Sequence, residues 1–288
     1  MPTNPRELLL QVFEIGVLLL GVWLIALLAF KPEFRKRWLA TNFLPDWSIA
    51  VSEFALYFFV LFGGGCILQI TLQLLLREFI SHAVDKSGLE IVVYGGLGLD
   101  GGAIVGWLLY PLLRRAWHFD YGVAVPVNKP PRNTTSWFQD LRYGFGALAI
   151  SFPLIFGLSA GWIYLLQKFG AKVELQDSIG IFANTKSPFI VSGMVIAICV
   201  LAPIMEELLF RAGLYRFCRQ SLGRGPALLI SGLLFGASHM NLAAFIPLTL
   251  FGIILALTYE SSGSIRAAII AHAFFNLNTL LAVLAGLS

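Results

Sequence analysis

Glu206 and Glu207 stand side by side, with Arg211 four residues beyond, in a stretch whose other side chains are almost all apolar. Two more polar pairs follow in the same third of the chain, Phe235-Gly-Ala-Ser-His239 and His272-Ala-Phe-Phe-Asn276. A charged side chain in hydrocarbon costs roughly 3 kcal/mol or more, so such groups persist where they face protein or a water cavity and serve a purpose. On a helix Glu207 and Arg211 are i,i+4 neighbours and can pair, whereas Glu206 lies about 100° around the axis. One carboxylate is then held and the other is free to react. Phe235 with His239, and His272 with Asn276, are also four apart, so each pair presents one face. Two carboxylates, a guanidinium, two imidazoles and an amide suffice to activate water: a general base, a group that polarises a carbonyl, and donors for an oxyanion. Taken singly, each has a plainer reading, a Glu–Arg clamp or a histidine closing an interhelical hydrogen bond. Their occurrence together favours chemistry.

The elements that must position these residues are membrane helices. The chain of 288 residues is 58% hydrophobic and only 12% charged, and apolar runs of about 20 residues, enough to cross the hydrocarbon core, recur along it. The spans expected are 9–30, 49–76, 91–113, 141–167, 189–216, 226–240, 242–259 and 266–286, the sixth and seventh short and divided by His239-Met240-Asn241. The fold class is therefore all-α, a polytopic transmembrane bundle of about eight helices with the site between the C-terminal ones. Residues 1–140 form a first part of three helices and a long loop over 114–140, and 141–288 carry the motifs, the two making one integrated membrane domain. The run from Leu8 to Phe30 is too long for a signal peptide and reads as a retained helix, with Glu14 near the interface.

Thirteen Lys and Arg residues fall in the connections between spans one and two, three and four, five and six, and seven and eight, against six on the other side. The side with the positive excess is the cytoplasmic one, which places both termini outside the cytoplasm. That bias accounts for the net charge of +4, and no soluble basic face suggests a nucleic-acid partner. Counted at 1.5 Å per residue from the basic residues, Glu206 and His239 lie at similar depths, about 15–20 and 21 Å, while His272 is shallower at about 9 Å.

Several other signals carry less. Cys66, Cys199 and Cys218 show no metal or redox spacing and read as free, inert thiols. Gly96-Leu-Gly98-Leu-Asp100-Gly101 fits a dinucleotide-binding expression but lies in a membrane run, and Gly98, Gly102 and Gly106 at four-residue spacing instead suit close helix packing. Asp100, charged and near mid-span, invites two protease readings. An aspartyl pair requires a second embedded Asp, yet Asp46, Asp85, Asp120, Asp140 and Asp177 are expected in loops; a zinc protease with a Leu-Asp-Gly element requires HExxH, which is absent.

The order EExxxR, FxxxH, HxxxN, carried by Glu206, Glu207, Arg211, Phe235, His239, His272 and Asn276, resembles the CAAX protease and bacteriocin-processing (CPBP or Abi) family of intramembrane proteases, which includes the type II CAAX prenyl endopeptidases. The resemblance covers about 189–286. It implies an endopeptidase acting on membrane-embedded or lipidated proteins or peptides in the bilayer, in a multi-pass protein of the plasma membrane. It implies Glu206 as the base activating water with His239 beside it, Glu207 and Arg211 ordering the site, and His272 with Asn276 stabilising the oxyanion. The family resemblance leaves open a metal, for which Glu206, His239 and His272 would be the ligands of Zn²⁺. A non-proteolytic scaffold or bacteriocin-immunity protein is the alternative, and a proton-coupled transporter lacks the inverted repeat it would need.

Overall fold

The computed structural model describes residues 5–38, 44, 49–116, 136–173 and 177–285. Among them every regular element is helical. Eight principal helices follow one another: α1 (Pro5–Phe30), α2 (Val51–Ser81), α3 (Lys86–Arg114), α4 (Trp137–Lys168), α5 (Pro188–Leu222), α6 (Arg224–Ser238), α7 (Leu242–Ser262) and α8 (Ile265–Leu284). Seven are long and apolar enough to cross a membrane, and the chain is a multi-pass membrane protein. The exception is α6. Its 15 residues rise only about 22 Å, short of a hydrocarbon core of about 30 Å, so the expected sixth span is not among the seven.

Local chemistry sets the ends that matter for the site. Ser187 caps α5, accepting from the Ile190 amide ahead of Pro188 at the first helical position, where its missing N–H costs nothing. Between α6 and α7 the chain turns through Met240 at φ 50, and the Asn241 side chain accepts from Ala244 N at 2.9 Å to start the next helix. Gly263, at φ 68, closes α7 in the left-handed conformation that glycine adopts without penalty.

Ion pairs fix which ends lie together. Arg219 and Arg224 both reach the buried Glu260, joining the end of α5, the start of α6 and the end of α7. Arg266 at the start of α8 pairs with Asp140 in the first turn of α4 at 2.7 Å, and Arg114 at the end of α3 pairs with Glu53 at the start of α2. Asp140 is thus helical and wholly buried, not in a loop as expected: the Ser136 cap starts α4 before the apolar run begins. The long connection between α3 and α4 lies largely outside the described residues, as do Asp46 and Asp120.

Wide helical turns, with i→i+5 bonding, interrupt α2 at Phe59–Gly63, α3 at Ile91–Asp100 and α5 at Ala197–Leu201 and Glu207–Tyr215. Such turns occur rarely and gather at functional sites. The glycine face of α3 packs closely, as its spacing implied: a Cβ on Gly102 would lie 2.8 Å from the Gly64 carbonyl of α2, and one on Gly96 would lie 2.6 Å from the Ala197 Cβ of α5. The main core, including Phe210, Tyr215, Phe235, Phe251 and Leu255, surrounds the polar motifs. All three cysteines are free, as expected.

Candidate active site

Glu207 opens the second wide turn of α5 and is wholly buried. Its Oε1 lies 2.9 Å from Arg211 Nη1 and accepts a hydrogen bond from His272 Nδ1, also at 2.9 Å. Arg211, equally buried, donates from Nη2 to the Gly252 carbonyl of α7 at 3.1 Å and lies over the Phe235 ring, 4.3 Å from its centroid. A lone charge at this depth would be untenable; here the carboxylate, carbonyl and ring face share the guanidinium. The Glu–Arg pair is therefore part of a wider lock joining α5, α6, α7 and α8.

Glu206 points elsewhere. Its Oε2 lies 3.9 Å from His239 Nε2 and 3.7 Å from His272 Nε2, and the Glu206 and His239 side chains keep 17% and 20% of their exposure, against none for Glu207 and Arg211. Of the adjacent pair, Glu206 is the carboxylate that keeps an exposed surface. Each imidazole is oriented from behind. His239 Nδ1 lies 2.8 Å from the Phe235 carbonyl, which can only accept, so Nδ1 carries a hydrogen and Nε2 is turned towards Glu206. The Glu207 carboxylate does the same for His272. Phe235, wholly buried, meets both imidazoles edge-on at 4.9 and 5.5 Å, and Phe251 meets His272 at 5.7 Å.

The motifs thus converge from three helices, and His272 lies beside both Glu206 and Glu207 despite the shallower depth expected for it. Asn276 is placed differently. Its Nδ2 donates to the Ile198 carbonyl in the first wide turn of α5 at 2.8 Å, which ties α8 to α5 and leaves one amide hydrogen for other use. Phe251 and Gly252 carried no signal in the sequence, since neither is polar and the run around them in α7 is largely apolar.

The candidate zinc ligands do not form a metal site as placed. Tetrahedral bonds of about 2.0–2.1 Å require donors about 3.4 Å apart, and Glu206 stands further than that from both imidazoles. Among the described residues no group of three or more His, Cys, Asp or Glu is arranged to hold a metal ion.

Residues 188–278 match the family model described as Type II CAAX prenyl endopeptidase Rce1-like. That segment is Rce1-like. It begins at the first residue of α5 and ends within α8, so it takes in every residue of the three motifs. No curated protein and no solved structure matches the chain. The resemblance carried by the EExxxR, FxxxH and HxxxN residues and the match to this CAAX protease family agree on the same segment.

Proposed function

We propose that the chain is an intramembrane endopeptidase that hydrolyses peptide bonds of membrane-associated proteins or peptides, with CAAX-type C-terminal processing of lipidated proteins as the reaction favoured by its Rce1-like segment, acting in the plasma membrane. The observation that carries this reading is the single accessible carboxylate, Glu206, faced by two imidazole Nε2 atoms whose Nδ1 atoms are both engaged. Separations of 3.7 and 3.9 Å are too long for direct hydrogen bonds, and each leaves room for a water that bridges Glu206 to an imidazole Nε2.

In the proposed reaction Glu206 accepts a proton as that water adds to the scissile carbonyl, and returns it to the amine nitrogen as the C–N bond breaks. His239 and His272 hold the water. The free amide hydrogen of Asn276 serves the developing oxyanion. The buried Glu207–Arg211 pair takes no proton; it orients His272.

The test is cleavage of a prenylated CAAX reporter and of unmodified membrane peptides by purified protein in lipid, with and without chelator. Glu206→Gln is expected to lower kcat by about a thousand-fold with the fold retained, since it removes the base and keeps the shape. Undiminished cleavage by Glu206→Gln overturns the reading, and loss of activity on chelation would assign the same three side chains to a metal instead.

A further inference from the structure

The two wide turns of α5 stand on either side of Glu206, Ala197–Leu201 before it and Glu207–Tyr215 after it. A helix that widens from i→i+4 to i→i+5 bonding leaves a carbonyl over where it narrows again, and a buried carbonyl needs a donor. Side chains of other helices supply donors at both turns. Asn276 of α8 reaches the Ile198 carbonyl in the first; in the second, Ser231 of α6 donates to the Phe210 carbonyl at 3.2 Å and Tyr57 of α2 donates to the Leu208 carbonyl at 2.7 Å. Tyr57 is set into that second turn by its ring as well as by its hydroxyl. The ring is buried where a Cβ on Gly213 would come within 2.6 Å of Cε1, so the glycine makes its seat, and the Tyr110 ring meets it edge-on at 5.1 Å.

We propose that Tyr57 is a positioning residue for the Glu206–Glu207 pair: its hydroxyl holds the wide turn in register, and with it the direction in which each carboxylate points. The inference rests on the proposed hydrolysis for its effect on turnover, but not for its hold on the turn. The turn opens at Glu207 and carries Arg211, and Leu208 follows the carboxylate pair directly. If its bonding slipped by one residue to the ordinary helical pattern, the residues before it would rotate by about 100° against those after it. Glu206 would then leave the imidazoles, or Glu207 would leave Arg211 and His272. Packing alone would be served by phenylalanine, which fills the same seat without a hydroxyl to desolvate. Tyr57 also lies outside residues 188–278, so through it the part of the chain ahead of the Rce1-like segment acts on the site.

The experiment uses the full chain in lipid. Tyr57→Phe keeps the ring in its seat and removes only the donor. It is expected to lower kcat about ten-fold with KM unchanged, because misplaced groups slow the chemical step without touching substrate binding. In parallel, hydrogen exchange of the Glu207–Tyr215 amides is expected to become about five-fold faster, while that of Ala197–Leu201, which Asn276 holds, stays as in the wild type. A tyrosine that served packing alone would leave kcat unmoved. Wild-type kcat in Tyr57→Phe, a change confined to KM, or unchanged exchange in the Glu207–Tyr215 turn overturns the proposal. If the wild-type chain cleaves no reporter, the hydrolase reading falls and the exchange measurement alone decides whether Tyr57 holds the turn.

Discussion

Glu206 and Glu207 differ by one position in sequence and by almost everything in surroundings. Glu207 is wholly buried, bound to a guanidinium and an imidazole; Glu206 keeps an exposed surface and faces two imidazole Nε2 atoms. The division of labour between them follows from rotation about the helix, which is why it was legible from spacing alone. Its consequence differs for the two residues. Glu207→Gln keeps the volume but leaves the Arg211 charge buried without its carboxylate, which is expected to cost about 3–5 kcal/mol and to lower the melting temperature in detergent or lipid sharply. Adding Arg211→Met to that variant replaces the remaining charge with an apolar chain and is expected to restore much of the stability, although not the activity, since His272 stays unanchored. If Glu207→Gln melts like the wild type, the lock is not structural. The Arg211 contacts with Gly252 and Phe235 were not legible beforehand, because a backbone carbonyl and a ring face leave no mark on a polarity pattern.

At the level of elements, the number and order of helices could be read from apolar run lengths, and so could the weakness of the sixth. Arg224–Ser238 spans only 15 residues, and the structure ends α6 there, with His239 as its cap. The wide turns of α3 and α5 were invisible because a change from 3.6 to about 4.4 residues per turn over so few residues leaves no readable period in runs that are mostly apolar. Asp140 was misplaced for a related reason: a capping serine ahead of a mixed first turn starts a helix earlier than hydropathy does. The turn after α6 is the least protected part of the site, since His239 is followed by Met240 at positive φ and held from the other side by the Asn241 cap. Asn241→Ala is expected to cost about 1 kcal/mol locally, seen as roughly five-fold faster hydrogen exchange at the first amides of α7, together with a fall in kcat as His239 loses its fixed base. Unchanged exchange there would mean that packing, not the cap, holds the turn.

The whole molecule has two chemically unlike ends. The ion pairs of Glu53, Asp140 and Glu260 gather the ends of α3, α5 and α7 with the starts of α2, α4, α6 and α8, and the connections at that end carry most of the chain's Lys and Arg. The opposite end holds the start of α5, the end of α4 and, recessed below them, the α6–α7 turn beside the site; Trp162 near the end of α4 donates to the Leu242 carbonyl, which fixes that turn about 9 Å short of the α4 end. Charge bias therefore predicts that the basic end faces the cytoplasm. With Cys66, Cys199 and Cys218 replaced, a single cysteine at exposed position 221 is expected to resist a membrane-impermeant thiol reagent in intact cells, and one at exposed position 170 to react with it. The reverse pattern would turn the bundle over and put the α6–α7 turn, with His239 at its edge, towards the cytoplasm. Either result fixes the leaflet nearer to Glu206, and hence the side from which an extended peptide must reach the base.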